Sequence, residues 1–402
     1  MNKLKIINDP VYGFITIPYE IIFDLIEHQF FQRLRRINQL GLAQLVYPGA
    51  IHTRFNHALG ALNLMIKALN TLEQKGIELT SAEKEAACIA ILLHDLGHSP
   101  FSHVLEKNLI PSIHHEKISL ELMNILNKQY NGKLSLAIEI FKNRYKKKFL
   151  HQLVSSQLDM DRLDYLTRDS FYTGVSEGIV GIDRIINMLS VYKNELVVEE
   201  KGIYSIEKFI VARRIMYWQV YLHKTTIAAD QILTNIIKRV KFLLKSRIKL
   251  EISGDLKFFM TLNEKTKINE DILLKFVKTD DIDLMYNIKQ WQNSNDFVLS
   301  FLCRALVNRH LPKIIIQNKL IKNEELVEKT QLLQNKFPEL KISEIDYLIN
   351  TGVVKNEAYT FKGTIKIQSK NGEIKELTNA SDNYNLTALS EKVTKYFLCY
   401  FQ

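Results

Sequence analysis

The chain has few of the residues that crosslink a fold or interrupt its helices. Its three cysteines, Cys88, Cys303 and Cys399, lie far apart, which excludes a dense disulfide framework and favours a reducing compartment. Glycine (15) and proline (7) are scarce, as is typical of a largely helical chain. No apolar run approaches the ~20 residues of a membrane-spanning helix, and the beginning, MNKLKIINDPVYGF, lacks the apolar segment of a signal peptide. We therefore expect a cytoplasmic protein with no membrane partner.

The composition is that of a folded protein with an excess of positive charge. The chain has 402 residues, 46% of them hydrophobic and 24% charged, with a net charge of +10, so it can bury a sizeable core. Lysine-rich stretches at 142–149 and 238–249 are typical either of a surface that contacts nucleic acid or polyphosphate, or of an ordinary solvated face. We favour the solvated face, because no aromatic groove accompanies the charge. Nucleic acid stays a less favoured partner.

Helical periodicity covers most of the chain. Apolar residues recur at helical spacing over 19–41, and this segment ends at Gly41. A second helix is predicted to begin at a Thr80/Ser81 cap and to become apolar toward His94. Further helices are predicted over 150–170 and within 204–248.

Strand signals are few. Residues 195–206 are interpreted as a short hairpin, and 360–378 alternate around Asn371-Gly372, a strong hairpin signal. The predicted fold class is therefore mainly α. We expect a helical catalytic domain over 1–250 and a small α+β lobe over 251–402 that serves regulation or oligomerisation.

Histidine and aspartate are concentrated in HDLGHSPFSH, residues 94–103. An isolated His-Asp pair is a weak motif, but His94 and Asp95 end an apolar helix, where an ionisable pair is costly to bury unless it binds a cation. His57 and Asp161 are further candidate ligands, each in its own predicted helix. Imidazole and carboxylate together suit a divalent ion such as Mn, Fe, Ni, Co, Zn or Mg.

The residues around these candidates match a known pattern in order and spacing. The match runs through INDPVYGFI, FQRLRRINQLG, YPGAIHTRFNHALG, LLHDLGHSPFSH, HHE and DMDRLDYLTRDSFYTG, and a weaker echo, NRHLPK, follows at 308. Over about residues 5–230 the chain resembles the HD-domain superfamily of metal-dependent phosphohydrolases. Within it, the chain is similar to the deoxynucleoside triphosphate triphosphohydrolases, in the branch of the vertebrate SAM-and-HD-domain dNTPases.

The resemblance implies one metal centre. Its ligands would be His57, His94, Asp95 and Asp161, which leave open positions for a water and a phosphate oxygen. The identity of the divalent ion is left open among the six above. A further Mg²⁺ that accompanies the triphosphate is also left open.

The resemblance also implies the residues that transfer a proton. His98 would act at the scissile phosphate, four residues beyond His94 and one turn away if the helix continues. Glu106 and His115 would be its partners. Either His114 or His115 fits the pattern, and the following Glu116 favours His115.

The implied substrate pocket surrounds the metal. Arg54, three residues before His57, would bind phosphate oxygens. Tyr165 and Asp169 follow Asp161 by one and two helical turns, and in the family this pair holds the 3′-hydroxyl and excludes a 2′-hydroxyl. The full implied set is Gln39, Leu40, Arg54, His103, Arg162, Tyr165, Asp169, Arg213 and Tyr221.

Two departures from the family pattern concern the base. Leu222 follows Tyr221 where the vertebrate relative has glutamine, and Glu27 stands where that relative has an aspartate that contacts guanine. Base preference therefore stays open, with dGTP expected as the preferred substrate. The expected products are the deoxynucleoside and inorganic triphosphate.

A regulatory nucleotide site is the last implication. In the vertebrate relative, nucleotides bind between subunits and assemble the oligomer. The corresponding residues here are Asn8, Asp9, Glu27, Arg35, Arg309 and Lys313. Arg309 and Lys313 are one turn apart if helical, although an ordinary surface pair fits equally well. We expect a homo-oligomer, either a dimer or a tetramer, that responds to a nucleotide effector.

Two other functions stay open at this point. One is a different HD-domain nucleotide phosphohydrolase, acting as a nucleotidase or on a signalling nucleotide. The other is a nucleic-acid-binding protein with nuclease activity as a side reaction. The DxDRxDYxxRD run, with Arg213 and Tyr221, favours the triphosphohydrolase.

Overall fold

The computed structural model describes residues 5–101, 104–106, 113–262, 266–356, 359, 363–382 and 391–402. Helices dominate these residues, and the few strands form three small sheets. The prediction of a mainly α fold is therefore confirmed. None of the described helices is long and apolar enough to cross a membrane.

The elements fall into a helical first part and a mixed second part. The helices of the first part are α1 (Glu20–Glu27), α2 (Gln29–Gln32), α3 (Arg54–Gln74), α4 (Ser81–Leu93), α5 (His115–Gln129), α6 (Ser135–Phe141), α7 (Lys148–Val154), α8 (Met160–Thr173), α9 (Ile182–Asn187), α10 (Ile203–Met216) and α11 (Lys224–Lys245). Those of the second part are α12 (Leu256–Thr261), α13 (Glu270–Phe276), α14 (Asp281–Trp291), α15 (Phe297–Val307), α16 (Asn323–Lys336), α17 (Ile342–Ile345) and α18 (Leu377–Ala380). The strands are β1 (Lys5–Asp9), β2 (Gly13–Ile17), β3 (Leu189–Tyr192), β4 (Glu195–Glu199), β5 (Lys313–Gln317), β6 (Ile349–Asn356), β7 (Lys366–Gln368), β8 (Ile374–Glu376) and β9 (Val393–Tyr400).

Helix α3 lies at the centre of the first part and packs against both α4 and α8. Its close approach to α8 depends on Gly60, because a Cβ at this position would come within 1.9 Å of the Asp164 carboxylate. Helix α4 is buried along its second half, from Ala86 to Leu93. This packing brings the start of α3, the end of α4 and the start of α8 together.

The predicted start of α4 is confirmed. The Thr80 side chain accepts a hydrogen bond from the Glu83 backbone N–H (3.2 Å), and the Glu83 carboxylate accepts one from the Thr80 N–H (2.8 Å). This capping box satisfies two N–H groups that the first turn leaves unpaired. Lys147 and Tyr145 also donate hydrogen bonds to the Glu83 carboxylate, at 2.8 and 2.7 Å respectively.

The single helix predicted over 19–41 is wrong. Helix α1 ends at Glu27, α2 follows, and Arg33–Arg36 form a 3₁₀ turn. The chain then pairs Asn38 with Thr53 in an isolated bridge, with Gln39 N–H donating to the His52 carbonyl at 3.0 Å. Gly41, with φ +52°, begins a 3₁₀ turn and does not end a helix.

The helix predicted over 150–170 is interrupted between Val154 and Met160. Asp159 caps the second piece, α8, because its side chain accepts from the Arg162 N–H at 2.7 Å. An aspartate before a helix competes with helix continuation in this way. The stretch 204–248 is likewise divided, with a π-helical segment at Tyr217–Tyr221 between α10 and α11.

The hairpin predicted over 195–206 is displaced. Strand β4 pairs with the preceding β3 around Lys193 and Asn194, and residues after Glu199 return to helix. Both turn residues have positive φ (48° and 65°), the conformation that a tight two-residue hairpin needs. The hairpin within 360–378 is confirmed as β7 and β8.

Two features of the sheets were not predicted. Strands β1 and β2 form an N-terminal hairpin over residues 5–17. Strand β7 pairs in parallel with β4, so that one four-stranded sheet, β3-β4-β7-β8, contains residues of both predicted regions. A separate sheet, β5-β9-β6, contains strands from the second region alone.

Candidate active site

The four candidate metal ligands come from three helix ends. His57 lies in the first turn of α3, His94 caps the C-terminus of α4, Asp95 follows it, and Asp161 lies in the first turn of α8. Residues up to 104 positions apart in sequence, His57 and Asp161, meet here because α3 packs against both other helices. We refer to these four side chains as the HD cluster.

The donor atoms of the HD cluster face one another. His57 Nε2 lies 3.1 Å from Asp161 Oδ1, and His94 Nε2 lies 3.5 Å from the same oxygen. Asp95 contributes Oδ1 at 3.2 Å from His94 Nε2 and Oδ2 at 3.8 Å from His57 Nε2. Both Nε2 atoms are buried without a well-oriented hydrogen bond among the described residues. Two imidazole nitrogens and two carboxylates at this spacing fit a divalent cation.

The other ring nitrogen of each histidine has a defined partner. His57 Nδ1 lies 2.7 Å from Asp164 Oδ2, and His94 Nδ1 lies 2.6 Å from the Ile91 carbonyl oxygen. Each Nδ1 therefore donates its proton away from the HD cluster, which leaves the Nε2 lone pair for a metal.

The electrostatics of the HD cluster favour bound positive charge. Burial alone would lower the pKa of His57, but the adjacent carboxylates of Asp161 and Asp164 raise that pKa to about 10. Burial would raise the pKa of Asp95, but His94, His98 and Arg54 hold it well below its usual range. Burial would likewise raise the pKa of Asp161, but His57 and His94 hold it below its usual range. Both carboxylates of the HD cluster are therefore ionised at neutral pH, and a bound proton or divalent cation would neutralise them.

His98 lies beside the HD cluster, with Nε2 at 3.1 Å from Asp95 Oδ1. Helix α4 does not continue to it, contrary to the expected one-turn spacing; instead, residues 94–97 turn back and the His98 N–H donates to the Asp95 carbonyl. Gly97 allows this turn to pack against the start of α5, since a Cβ there would lie 2.1 Å from the His115 carbonyl oxygen. Burial, together with Arg54, holds the pKa of His98 well below its usual range.

His115 and Glu106 extend from His98 as a stack and a hydrogen bond. The His98 and His115 rings are stacked at 4.0 Å between centroids. His115 Nδ1 and its backbone N–H lie 2.8 and 3.0 Å from Glu106 Oε1. His114 is 82% exposed, so the inward-facing member of the pair is His115.

The residues predicted to hold the sugar lie farther along α8. Asp169 is buried, and its two oxygens contact Tyr221 Oη at 2.7 Å and His52 Nε2 at 2.8 Å. The Tyr165 and Tyr221 rings meet edge to face at 6.1 Å. His52 was not identified from the sequence, although it lies only two residues before Arg54 in the quoted motif.

Gln39 and Leu40 lie next to this group. The backbone of Gln39 is fixed on that of His52, and its side-chain Oε1 is buried without a hydrogen-bond partner among the described residues. Leu40 is half-buried against the main core. A buried amide oxygen of this kind is suited to a ligand that donates a hydrogen bond.

The three candidate phosphate-binding arginines all have protein partners. Arg54 Nη1 lies 2.5 Å from Asp95 Oδ2. Arg162 Nε donates to the Ser156 carbonyl at 2.5 Å, and Arg213 Nη1 donates to Gln157 Oε1 at 3.3 Å. Arg162 and Arg213 thus meet on the loop that precedes α8. His103 lies outside the described residues.

The predicted regulatory residues of the N-terminal part are scattered. Asn8 is exposed on β1 and Glu27 is exposed at the end of α1. Arg35 lies over the Phe55 ring at 3.6 Å. Asp9, by contrast, is buried, and its carboxylate accepts a hydrogen bond from Arg168 at 2.8 Å.

Arg309 and Lys313 are exposed but do not share a helix, so the one-turn spacing is wrong. Arg309 has φ +56° in the turn after α15, and its Nε donates to the Leu45 carbonyl at 2.8 Å. Lys313 begins strand β5. The Leu311-Pro312 segment between them lies outside any helix, since proline disfavours helix at the residue before it.

Residues of the second region (251–402) form hydrogen bonds with segments next to the site, which the sequence did not indicate. The buried Arg33 donates to the Thr279 carbonyl at 2.8 Å and to the His98 carbonyl at 2.9 Å. Asp281 accepts from the Asn38 and Phe101 N–H groups at 2.8 and 2.9 Å. The contacts that involve Thr279 and Asp281 span 180 to 246 residues.

Comparisons with known families agree with this geometry. The HD domain profile matches residues 54–169, which contain the whole HD cluster, and a profile named HD associated region matches residues 180–275.

Similar proteins cover the chain more fully. The chain is 34% identical over 396 residues to the uncharacterized protein YwfO of Bacillus subtilis, and the match covers 95% of this chain and 88% of that one. Its sequence is 48% identical to that of a phosphohydrolase from Bacteroides thetaiotaomicron whose crystal structure is known. The two structures superpose with a TM-score of 0.95 and full coverage of both chains. The chain is 26% identical over 397 residues to the deoxynucleoside triphosphate triphosphohydrolase SAMHD1 of Bos taurus, covering 86% of this chain and 64% of that one.

Proposed function

Since this chain belongs to the HD-domain family of phosphohydrolases, we propose that it is a metal-dependent deoxynucleoside triphosphate triphosphohydrolase. Its substrate would be a dNTP, and its products the deoxynucleoside and inorganic triphosphate. The similarity to SAMHD1 of Bos taurus supports this choice within the family.

One observation carries the proposal: helix α8 connects the HD cluster to a second polar group. Asp161 belongs to the HD cluster, and Asp169, two turns later, is held by His52 and Tyr221. Eight residues of helix separate their Cα atoms by roughly 12 Å. This arrangement supports a ligand whose phosphate lies at the HD cluster and whose sugar hydroxyl lies at Asp169, with Tyr165 between them.

The residues of the HD cluster would hold one divalent ion. When bound, the ion supplies a Lewis acid that polarises a phosphate oxygen and activates water. His57, His94, Asp95 and Asp161 orient it, and Asp164 and the Ile91 carbonyl orient the two imidazoles. The metal is left open among Mn, Fe, Ni, Co, Zn and Mg, and a further Mg²⁺ with the triphosphate belongs to the same proposal.

His98 would donate a proton to the departing 5′-oxygen. Its Nε2 lies at the edge of the HD cluster, 3.1 Å from Asp95. The negative charge of a bound triphosphate would favour its protonated form, and His115, oriented by Glu106, is stacked on its ring. Arg54, Arg162 and Arg213 supply positive charge for the phosphates.

The finer parts of the proposal concern selectivity and regulation. We propose that dGTP is the preferred substrate and that Tyr165 excludes a 2′-hydroxyl. A second nucleotide would bind at a surface that includes Asn8, Arg35 and Arg309 in a homo-oligomer, with residues 251–402 as its regulatory part. Such an effector can change activity only through different affinity for the active state, typically ~1–3 kcal/mol of coupling.

The test is to incubate the purified protein and Mn²⁺ separately with each of the four dNTPs, with the deoxynucleoside monophosphates and with single-stranded DNA, and to separate the products by chromatography. The proposal expects deoxynucleoside and inorganic triphosphate, and no reaction for the Asp95→Ala variant. Deoxynucleoside monophosphate and pyrophosphate, or hydrolysis of monophosphates only, would support another HD-domain phosphohydrolase. Cleavage of single-stranded DNA with no dNTP turnover would support the nuclease.

A further inference from the structure

A chain of buried ion pairs connects the HD cluster to the N-terminal hairpin. His57 Nδ1 contacts Asp164 Oδ2 at 2.7 Å, and both Asp164 oxygens contact Arg168 at 3.0 Å. Arg168 in turn contacts both oxygens of Asp9, at 2.8 and 3.3 Å. We refer to His57, Asp164, Arg168 and Asp9 as the buried relay.

We propose that Arg168 and Asp9 are positioning residues of the metal centre. Through Asp164 they hold the His57 imidazole in the orientation and tautomer that a metal needs, so that the N-terminal hairpin contributes to metal affinity. This inference rests on the proposed metal site and does not depend on the identity of the substrate.

Burial makes the contacts of the relay strong and exclusive. The side chains of His57, Asp164 and Arg168 are fully buried, and that of Asp9 is 3% exposed. Water therefore does not compete for these groups, and removal of one partner leaves an uncompensated charge inside the protein. The paired guanidinium restrains Asp164, whose Oδ2 faces His57.

The backbone of α3 fits closely against the relay. A Cβ on Gly60 would lie 1.9 Å from Asp164 Oδ1 and 2.2 Å from Arg168 Nη2. Gly60 is one turn after His57 on the same helix, so the helix that carries the ligand also limits the movement of its partners. The geometry at His57 Nδ1 is thus fixed from two sides.

At the far end, the hairpin turn holds Asp9 rigidly. Asp9 Oδ1 accepts hydrogen bonds from the N–H groups of Val11 and Tyr12, each at 2.9 Å. The Tyr12 ring also lies 5.5 Å from the Arg168 guanidinium. The Asp9 carboxylate therefore points into the protein, and the hairpin anchors the Nη1–Nη2 edge of Arg168, next to the Nε–Nη2 edge that contacts Asp164.

The competing interpretation is an ion pair that only stabilises the fold. The chain offers a matched example: Arg239 contacts Asp296 at 2.6 Å and Glu344 at 2.8 Å, with its side chain 5% exposed. None of these three residues contacts the HD cluster in the described structure. Loss of Arg239 should therefore lower stability without a change in metal affinity.

The experiment compares Arg168→Gln, Arg168→Lys and Asp9→Asn with Arg239→Gln in the full-length protein. Asp9→Asn keeps a side-chain oxygen for the turn and replaces the charged oxygen that accepts from Arg168 with a neutral amide group. Co²⁺ affinity is measured by competition with a chelator, the Co²⁺ absorption spectrum is recorded, and unfolding of the metal-free protein gives stability. His94→Ala identifies the binding that belongs to the HD cluster.

We expect Arg168→Gln to weaken Co²⁺ binding roughly 10- to 100-fold, the usual cost of losing an outer partner of a metal ligand. Asp9→Asn should weaken binding in the same direction by less, Arg168→Lys should recover part of the loss, and Arg239→Gln should bind like wild type. If Arg168→Gln does not fold, Asp9→Asn decides. Wild-type affinity and spectrum in Asp9→Asn and in any folded Arg168 variant would overturn the inference. Absence of Co²⁺ binding in wild type would instead contradict the proposed metal site.

Discussion

At the scale of single residues, His98 differs from its neighbours because it is buried yet is not a member of the HD cluster. Its Nε2 contacts Asp95, and its ring stacks on His115. We expect His98→Ala to lower kcat by roughly 10²–10⁴-fold, the usual contribution of a general acid, with little change in KM. Steady-state kinetics with dGTP measure both constants.

His114 is the matched control for this prediction. His114 stands next to His115 in the chain, but its side chain is 82% exposed. His114→Ala should therefore behave like wild type. A collapse of substrate affinity with surviving kcat in His98→Ala would make His98 a binding residue and not a proton donor.

Sugar selection is a second property of individual side chains. If Tyr165 lies against the sugar and Asp169 accepts its hydroxyl, a 2′-hydroxyl meets a steric clash, worth ~1–3 kcal/mol together with any unpaired polar group. The predicted ratio of kcat/KM strongly favours dGTP over GTP in wild type and falls in Tyr165→Ala. Equal rates on the two nucleotides in wild type would refute the deoxyribose pocket.

The sequence identifies the candidate ligands more readily than the side chains that contact them. His57, His94, Asp95 and Asp161 stand in motifs whose flanks match a family, so they could be named. Asp164 could also have been noticed, because it stands four residues before Arg168 on one helix. No local signal points from Asp9 to Arg168, which are 159 residues apart and meet only through packing.

At the scale of elements, the start of α4 has the clearest energetic signature. Burial would raise the pKa of Glu83, but hydrogen bonds from Lys147, the Thr80 backbone and Tyr145 lower it to about 2. Because the folded pKa is below the unfolded value of about 4.3, ionised Glu83 stabilises the fold above that value, and its contribution is lost as the pH falls toward 2. Glu83→Gln should lower the free energy of unfolding at pH 7 by about 1–3 kcal/mol.

Urea unfolding at pH 7 and pH 3 measures this effect. Glu73→Gln is the control, since Glu73 forms an exposed pair with Lys84 and should change stability by less than about 1 kcal/mol. A difference between Glu83→Gln and wild type that stays constant from pH 7 to pH 3 would contradict the assignment.

Elements were predicted well where one local signal decides them, and poorly where tertiary contacts decide. Asn371-Gly372 specifies a hairpin by its own backbone preference, and that hairpin is present. The periodicity over 19–41 resembles one helix. In the structure the chain has left helical geometry by residue 37, and the nearby Arg33 is buried in contact with the carbonyls of Thr279 and His98. Lys193 has no intrinsic preference for positive φ, so the turn at 193–194 gave no signal.

At the scale of the whole molecule, the second region supports the turn that carries His98. Asp281, at the start of α14, accepts from the Asn38 and Phe101 N–H groups, and thereby holds segments on both sides of the site. We expect Asp281→Ala to lower both stability and kcat, because the buried Phe101 N–H loses its partner at about 1–3 kcal/mol and the partly buried Asn38 N–H loses its partner at a smaller cost. Thermal unfolding and dGTP turnover measure the two effects.

Asp271→Ala provides the comparison, since Asp271 is exposed in the first turn of α13. It should leave turnover unchanged. Loss of stability without loss of kcat in Asp281→Ala would limit the second region to a structural role.

In the proposed reaction, water attacks the α-phosphorus of a dNTP, so that the bond between this phosphorus and the 5′-oxygen breaks. Hydrolysis of dGTP in ¹⁸O-labelled water with Mn²⁺, followed by mass spectrometry of the products, tests it most directly. We expect one ¹⁸O atom in inorganic triphosphate, none in deoxyguanosine, and no turnover in Asp95→Ala. Labelled deoxyguanosine monophosphate, labelled deoxyguanosine, or full turnover by metal-stripped Asp95→Ala would contradict it.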